Sequence, residues 1–170
     1  MANDAEQQKT GEEPARSAAA RTALRETIAA LLEQAQHEIL VFGPDLDGYY
    51  FNTARVADAL GRFIARHREN RARILVEHRQ QVIRDNARLI ALARRFADAV
   101  QLRRVSEDHT GSNELFIVVD SRTCLYQQDA DRIDRPIAMQ QLREAALLAR
   151  RFRTIWELGE PLVEIKPAGL

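Results

Sequence analysis

Any chemistry in this chain has to come from a small set of polar side chains. Asp45 and Asp47 stand two apart in Gly43-Pro44-Asp45-Leu46-Asp47-Gly48, and Tyr49 and Tyr50 follow at once. Ligands of open α/β sheets meet the loops beyond the strands, so two carboxylates and two phenols after an apolar run make a reasonable ligand-binding element. The plainer account is an ordinary turn, because Asp and Gly suit turn backbone for local reasons. Of the four histidines, His37, His67, His78 and His109, no two have the i, i+4 spacing of a helical zinc site, and Cys124 is the lone cysteine. No metal centre is expected from such a set. His78 and Arg79 close the apolar run Arg73-Ile74-Leu75-Val76-Glu77, a place where functional groups collect, and His109 lies four residues ahead of Asn113. Both histidines read more simply as solvated or loop-bonding groups than as nucleophiles.

Several chemistries are excluded by spacing. The loop after the first apolar run has neither G-x-G-x-x-G nor a G-K-[ST] ending, so the backbone N–H cradle for a dinucleotide or nucleotide is absent. There is no G-x-S-x-G elbow for a serine hydrolase. No cofactor is expected. What remains is Asn113-Glu114-Leu115-Phe116-Ile117-Val118-Val119-Asp120, an apolar strand opened by an amide and closed by an acid. On a strand, positions two apart project to one face, so Asn113 and Leu115 share an environment.

These residues must be positioned by a single fold. A length of 170 residues suits one domain with its own core. No apolar run reaches the ~18 residues a membrane span needs, the first residues carry no signal-peptide pattern, and a single cysteine suits a reducing, cytoplasmic setting. Net charge is zero but unevenly spread: residues 1–60 carry −5, residues 61–104 carry +8 and residues 105–170 carry −3. Lys9 and Lys166 are the only lysines, so the positive charge is mostly guanidinium, which pairs bidentately with carboxylate or phosphate. Internal pairing between the Arg-rich middle and its acidic flanks is the plainer reading. A local anion-binding face is the sharper one.

Residues 1–14 are polar and acidic and read as a disordered tail. The domain is expected over 15–170. Leu24, Ile28, Leu31 and Ala35 mark a first helix, followed by the strand His37–Phe42. Asn52 or Thr53 can cap a second helix striped by Val56, Leu60, Phe63 and Ile64. Arg73–Glu77 is a second strand, Val82 to Phe96 a third helix and Ala99–Val105 a third strand. Phe116–Val119, a turn at Asp120–Thr123 and Cys124–Gln127 form a hairpin. A charged loop from Asp129 to Pro136 then precedes a long helix carrying Leu142, Ala145, Ala149, Phe152 and Trp156, with Gly159 as its stop and Leu162–Ile165 as a last short strand. Helix–strand units in series imply parallel strands with helical crossovers. The late hairpin makes the sheet mixed.

This order, with the strand ending Val118-Val119-Asp120 and the closing helix bearing Phe152 and Trp156, resembles one half of the phospholipase D superfamily over about residues 18–160. The run Ala91-Leu92-Ala93-Arg94-Arg95-Phe96, followed by Gln101-Leu102-Arg103-Arg104, is similar to a bacterial branch that has this fold without the catalytic motif. The resemblance implies an α/β, single-domain phospholipase D-like sandwich, with a mixed, mostly parallel sheet flanked by helices. The superfamily motif is His-x-Lys-x-x-x-x-Asp; Asp120 matches its Asp, while Asn113 stands for the His and Leu115 for the Lys. In catalytic members the His attacks phosphorus and the Lys holds the phosphate oxygens. Asn cannot form a phosphohistidine and Leu brings no charge, so the chain is expected to lack that chemistry.

The expectation is therefore a non-catalytic binding or regulatory module that homodimerises, its partner a protein or an anionic small ligand. Nucleic acid on the Arg-rich middle segment is the less favoured partner. A phosphodiesterase with altered residues, using His109 or His78 with Arg, is the alternative. The candidate ligand-binding residues are Asp45, Asp47, Tyr49, His78, Arg79, Arg103, His109, Asn113 and Asp120.

Overall fold

A computed structural model describes the backbone of residues 3–132 and 138–162, and the side chains of residues 16–132 and 142–162. Helix α1 (Asn3–Glu33) leads to strand β1 (Glu38–Phe42). The short helix α2 (Gly48–Phe51) and helix α3 (Ala54–Arg66) come next, then β2 (Arg71–Val76), α4 (Arg79–Asp85), α5 (Ala87–Arg95) and β3 (Val100–Arg104). Strands β4 (Leu115–Val119) and β5 (Thr123–Gln127) form the expected hairpin. Strand β6 (Ala138–Gln141), helix α6 (Leu142–Leu158) and the short β7 (Glu160–Pro161) complete the described chain. The tail expected to be disordered over 1–14 overlaps α1, whose backbone is helical from Asn3, while the side chains of those residues lie outside the described set. None of the described helices is long and apolar enough to cross a membrane.

Among the described residues the seven strands make one sheet in the order β6-β5-β4-β1-β2-β3-β7. The mixed α/β class is as the sequence implies, but the balance of the sheet differs. Only β1–β2 and β2–β3 are parallel, and the four other pairings are antiparallel. The expectation of a mostly parallel sheet is corrected by β4, which runs antiparallel against the central β1, and by the edge strands β6 and β7, both of which pair antiparallel. Strand β6 was missed because Ala-Met-Gln-Gln lacks the β-branched alternation that marks a strand. The last strand expected over Leu162–Ile165 is observed as β7 at Glu160–Pro161 plus a Leu162 N–H bond to the Leu102 carbonyl. Residues 163–165 lie outside the described residues.

The sheet is covered on both faces, so its central strands are apolar throughout. Ile39, Val41, Ile74, Leu102, Leu115 and Ile117 pack with α1, α3 and α5. Leu40, Phe42, Leu75, Phe116 and Val118 pack against Ala145, Ala149, Phe152 and Trp156 of α6 alone. Phe42 and Phe116 stack across β1–β4 with centroids 4.9 Å apart. Of the two expected caps for α3, Thr53 is the one used, its Oγ1 accepting from Val56 N at 3.1 Å.

The third helix of the sequence reading is two helices broken at Asn86, which ends α4 and starts α5. The break has a reason. Asn86 is 0% exposed and its Nδ2 donates to the Leu46 carbonyl at 2.8 Å, tying this corner to the loop after β1. That loop needs the tie, because Leu46 sits in the left-handed region with φ 53°, an unfavourable conformation for a residue with a branched side chain.

Candidate functional site

The loops after β1 and β2 lie against each other at one end of the sheet. The N–H groups of Glu77 and His78 both donate to the Pro44 carbonyl, at 2.9 and 2.8 Å. Gln81 Nε2 donates to Asp45 Oδ2 at 2.8 Å. Gly48 approaches so closely that a Cβ there would come 2.6 Å from the Asp85 carbonyl oxygen, so this loop can pass the end of α4 only without a side chain. Asp47 caps α2, its Oδ1 accepting from Tyr49 N at 2.9 Å.

Two concavities result. A cleft of about 440 Å³ is lined by Asp45, Asp47, Tyr49, Tyr50, Gln81, Asp85, Leu115 and Asp131, among others. A more open groove of about 790 Å³ adjoins it, lined by Glu77, His78, Arg79, Arg84 and Arg104, and Gln81 borders both. The two differ in sign: carboxylates dominate the first and guanidinium groups the second. Burial, then the neighbouring Asp131 carboxylate, push the Asp45 carboxyl above its ordinary range. Burial likewise pushes the Tyr50 hydroxyl up, against the opposing pull of the Arg21 guanidinium. Tyr49 moves the other way, drawn down by its bond to the Thr22 hydroxyl and then by Arg25 beside it. Arg21 and Arg25 lie over the Tyr49 ring at 4.6 and 4.8 Å.

The nine sequence candidates do not form one site. Asp45, Asp47 and Tyr49 line the acidic cleft, and His78 and Arg79 line the adjoining groove. Asn113 borders this region, with Nδ2 donating to Asp129 Oδ1 at 2.6 Å and Asp131 Oδ2 at 2.8 Å. Its carbonyl accepts from Ala130 N at 2.7 Å, so the residue fastens the loop after β5. Leu115 is 5% exposed. A Cβ at Gly43 would meet its Cδ1 at 3.1 Å and Leu46 Cδ2 at 3.2 Å, so Gly43 is the floor on which both leucines rest. His109 sits in a single 3-10 turn, Glu107–His109, with Nδ1 2.9 Å from Ser106 Oγ.

Two candidates are placed elsewhere. Arg103 donates to the Trp156 carbonyl at 2.7 Å and lies 4.4 Å over its ring, bracing the C-terminal part of α6 against the sheet. Asp120 lies at the far end of β4 from Asn113, beside the start of β1, because the two strands are antiparallel. There its carboxylate accepts from the backbone N–H groups of Gln36, His37 and Glu38 at 3.0, 2.7 and 3.0 Å. Gln81 lies in the His78–Gln81 loop expected to border the ligand, whereas sequence reasoning missed Asp85 and Asp131 as cleft residues. Asp85 and Asp131 lie 40 and more residues from Asp45 in a chain rich in acids, and no spacing signal connects them.

Among the described residues no group of three or more His, Cys, Asp or Glu side chains could hold a metal ion. A search of the curated proteins by sequence finds no match. The fold is similar to that of TrmBL2, described as an archaeal chromatin protein whose structure shows a novel mode of DNA binding, with a TM-score of 0.57 and 18% identity. That likeness covers 81% of this chain and 50% of the other, so this chain spans about half the length of TrmBL2. It is also similar to NucT from Helicobacter pylori, with a TM-score of 0.54 and 7% identity over 83% of this chain and 92% of that one. At such identities the likeness speaks for the fold alone. Residues 20–167 match the family described as a domain of unknown function (DUF7931), and the chain belongs to that family.

Proposed function

We propose that this chain is a non-catalytic phospholipase D-like module, a ligand- or protein-binding regulatory domain that works as a homodimer. The fold likeness to NucT, a phospholipase D-like protein, supports the scaffold. The observation that carries the rest is how the motif positions are used. Asn113 spends its amide on Asp129 and Asp131, and Leu115 spends its side chain on the core above Gly43. A nucleophile and a phosphate-holding cation are both missing from the strand that would present them, and covalent phosphoryl chemistry needs both. His109 is the nearest substitute in sequence, and it is engaged with Ser106. An isologous pair is the commonest assembly for a domain of this size and is the arrangement the resemblance implies.

Hydrolysis of a bis-aryl phosphodiester tests the chemistry. Wild type and His109→Ala are expected to be equally silent; turnover in wild type that the variant loses would establish an enzyme. Light scattering tests the assembly, where a monomeric mass at micromolar concentration would count directly against the homodimer.

A nucleic-acid reading has one observation in its favour. The groove beside the cleft carries His78, Arg79, Arg84 and Arg104, and TrmBL2 is described as a DNA-binding protein. Arg84 and Arg104 are partly answered by Asp85 and Glu160, which lowers the field. Duplex DNA binding with a steep fall in affinity as salt rises would favour this reading.

A further inference from the structure

Helix α6 carries apolar side chains that the described chain does not cover. Leu142, Leu147 and Leu158 are 66%, 57% and 57% exposed, and among the described residues they are the exposed large hydrophobic side chains. All three belong to α6. Leu147 and Leu158 share one side of it with Glu144 and Arg151, at the three-, four- and seven-residue spacings of a single helical face. That side is distinct from the face of Ala145, Ala149, Phe152 and Trp156 that meets the sheet.

Beside Leu147 the cover of the sheet is incomplete. The opposite face has α1, α3 and α5, whereas this one has α6 alone, lying over β1, β4, β5 and β6. Strands of this length run about 17 Å and a helix is about 10 Å across, so one helix leaves a margin. The margin is a groove of about 300 Å³ between α6 and β5, lined by Cys124, Tyr126, Leu147 and Leu148 together with Glu144 and Arg151. Exposed leucine at the lip of such a groove is surface that association removes from water.

The charges on the stripe identify what covers it. Glu144 and Arg151 lie two turns apart, about 10.5 Å along the axis, and do not pair with each other. Arg151 is bonded to Glu114, but its side chain is 42% exposed and a guanidinium has donors to spare. Glu144 has no ion pair among the described residues. Residues 144 and 151 are equally far from the midpoint between Leu147 and Leu148. A second copy of α6, laid antiparallel about a two-fold axis at that midpoint, therefore sets Glu144 of each copy against Arg151 of the other. Leucine meets leucine at the axis. Such self-complementarity is what an isologous contact requires.

We infer that α6 is the interface of the homodimer, two copies packing antiparallel about an axis at Leu147 and Leu148, with Leu147 of each seated at the groove of the other. This rests on the homodimer reading and gives it a surface. Sedimentation of the full chain over a range of concentrations tests it, comparing wild type, Leu147→Glu and Glu144→Arg. Leu147 is exposed in the single copy, so its replacement should leave the fold intact, which unchanged far-UV circular dichroism checks.

Wild type is expected to be a dimer. Leu147→Glu puts two carboxylates at the axis and should raise the dissociation constant by about 100-fold or more. Glu144→Arg turns two attractions into two repulsions and should raise it about tenfold. A dimer unmoved by either substitution would overturn this interface and leave the homodimer reading standing. Loss with Leu147→Glu but none with Glu144→Arg would overturn the antiparallel arrangement. A monomeric wild type would overturn both the interface and the homodimer, leaving the face to a protein of another kind.

Discussion

The two ends of strand β4 put the same kinds of residue to opposite uses. At its exit, Asp120 is answered three times over by backbone N–H groups that lead into β1. At its entry, Asp129 and Asp131 share the amide of Asn113, and Asp45 across the cleft has the amide of Gln81. One end is a closed clasp in which an acid serves the fold. The other is an open edge where Asp45 and Asp131 line a cavity and accept from side-chain amides.

The largest effect belongs to the closed end. Asp120→Ala removes three charge-assisted bonds at once, so denaturant unfolding should show a loss of about 3 kcal/mol. A loss below about 0.5 kcal/mol would mean that the two ends are alike, since ordinary surface substitutions stay within that range. Next comes the cleft's own backbone. Gly48→Ala drives a Cβ to 2.6 Å from the Asp85 carbonyl, and overpacking of this kind should cost about 2 kcal/mol in the same assay. Asn113→Ala is expected to cost only about 1 kcal/mol, because its partners Asp129 and Asp131 stay accessible to water.

The smallest effect sharpens the contrast by sign. Asp45 has a raised pKa, so its protonated form favours the fold; that contribution is full below the ordinary carboxyl pKa and is lost as pH rises through the raised value. Glu114 behaves oppositely: burial would raise it, but bonds from Arg151, Tyr126 and Ser112 outweigh burial and hold it below its usual range. Its contribution is present above the ordinary pKa and is lost as pH falls through the lowered one. Asp45→Asn and Glu114→Gln should therefore change the pH dependence of stability in opposite directions. Parallel changes would show that the cleft acid is compensated after all.

Much of the scaffold was legible because periodicity reports burial. The run Ile39–Phe42 and the run Leu115–Val119 are apolar on both faces, as only central strands are. The stripe Ala145, Ala149, Phe152 and Trp156 marks the face of α6 that meets the sheet. Strand β6 was not legible, because Ala138–Gln141 is held at an edge by pairing with β5 and not by its own preference. The cleft was half legible. Asp45, Asp47 and Tyr49 sit in one loop whose position after β1 was visible. Asp85 and Asp131 reach the same space only through the turn at Asn86 and the fastening of the loop after β5, both of which are tertiary facts. Asp120 was misplaced as a ligand residue because a motif frame gives order along a strand and not which end of the sheet each residue meets.

The central claim is that the position of the motif's cation has become part of the packed core at the cleft wall. Leu115→Ala tests it most directly, by urea unfolding of the full chain. Burial at 5% exposure predicts a fall in unfolding free energy of about 3 kcal/mol, since core contacts are lost and a cavity is left in their place. A variant as stable as wild type would show that the position opens onto solvent, and the account of a filled motif site would be wrong.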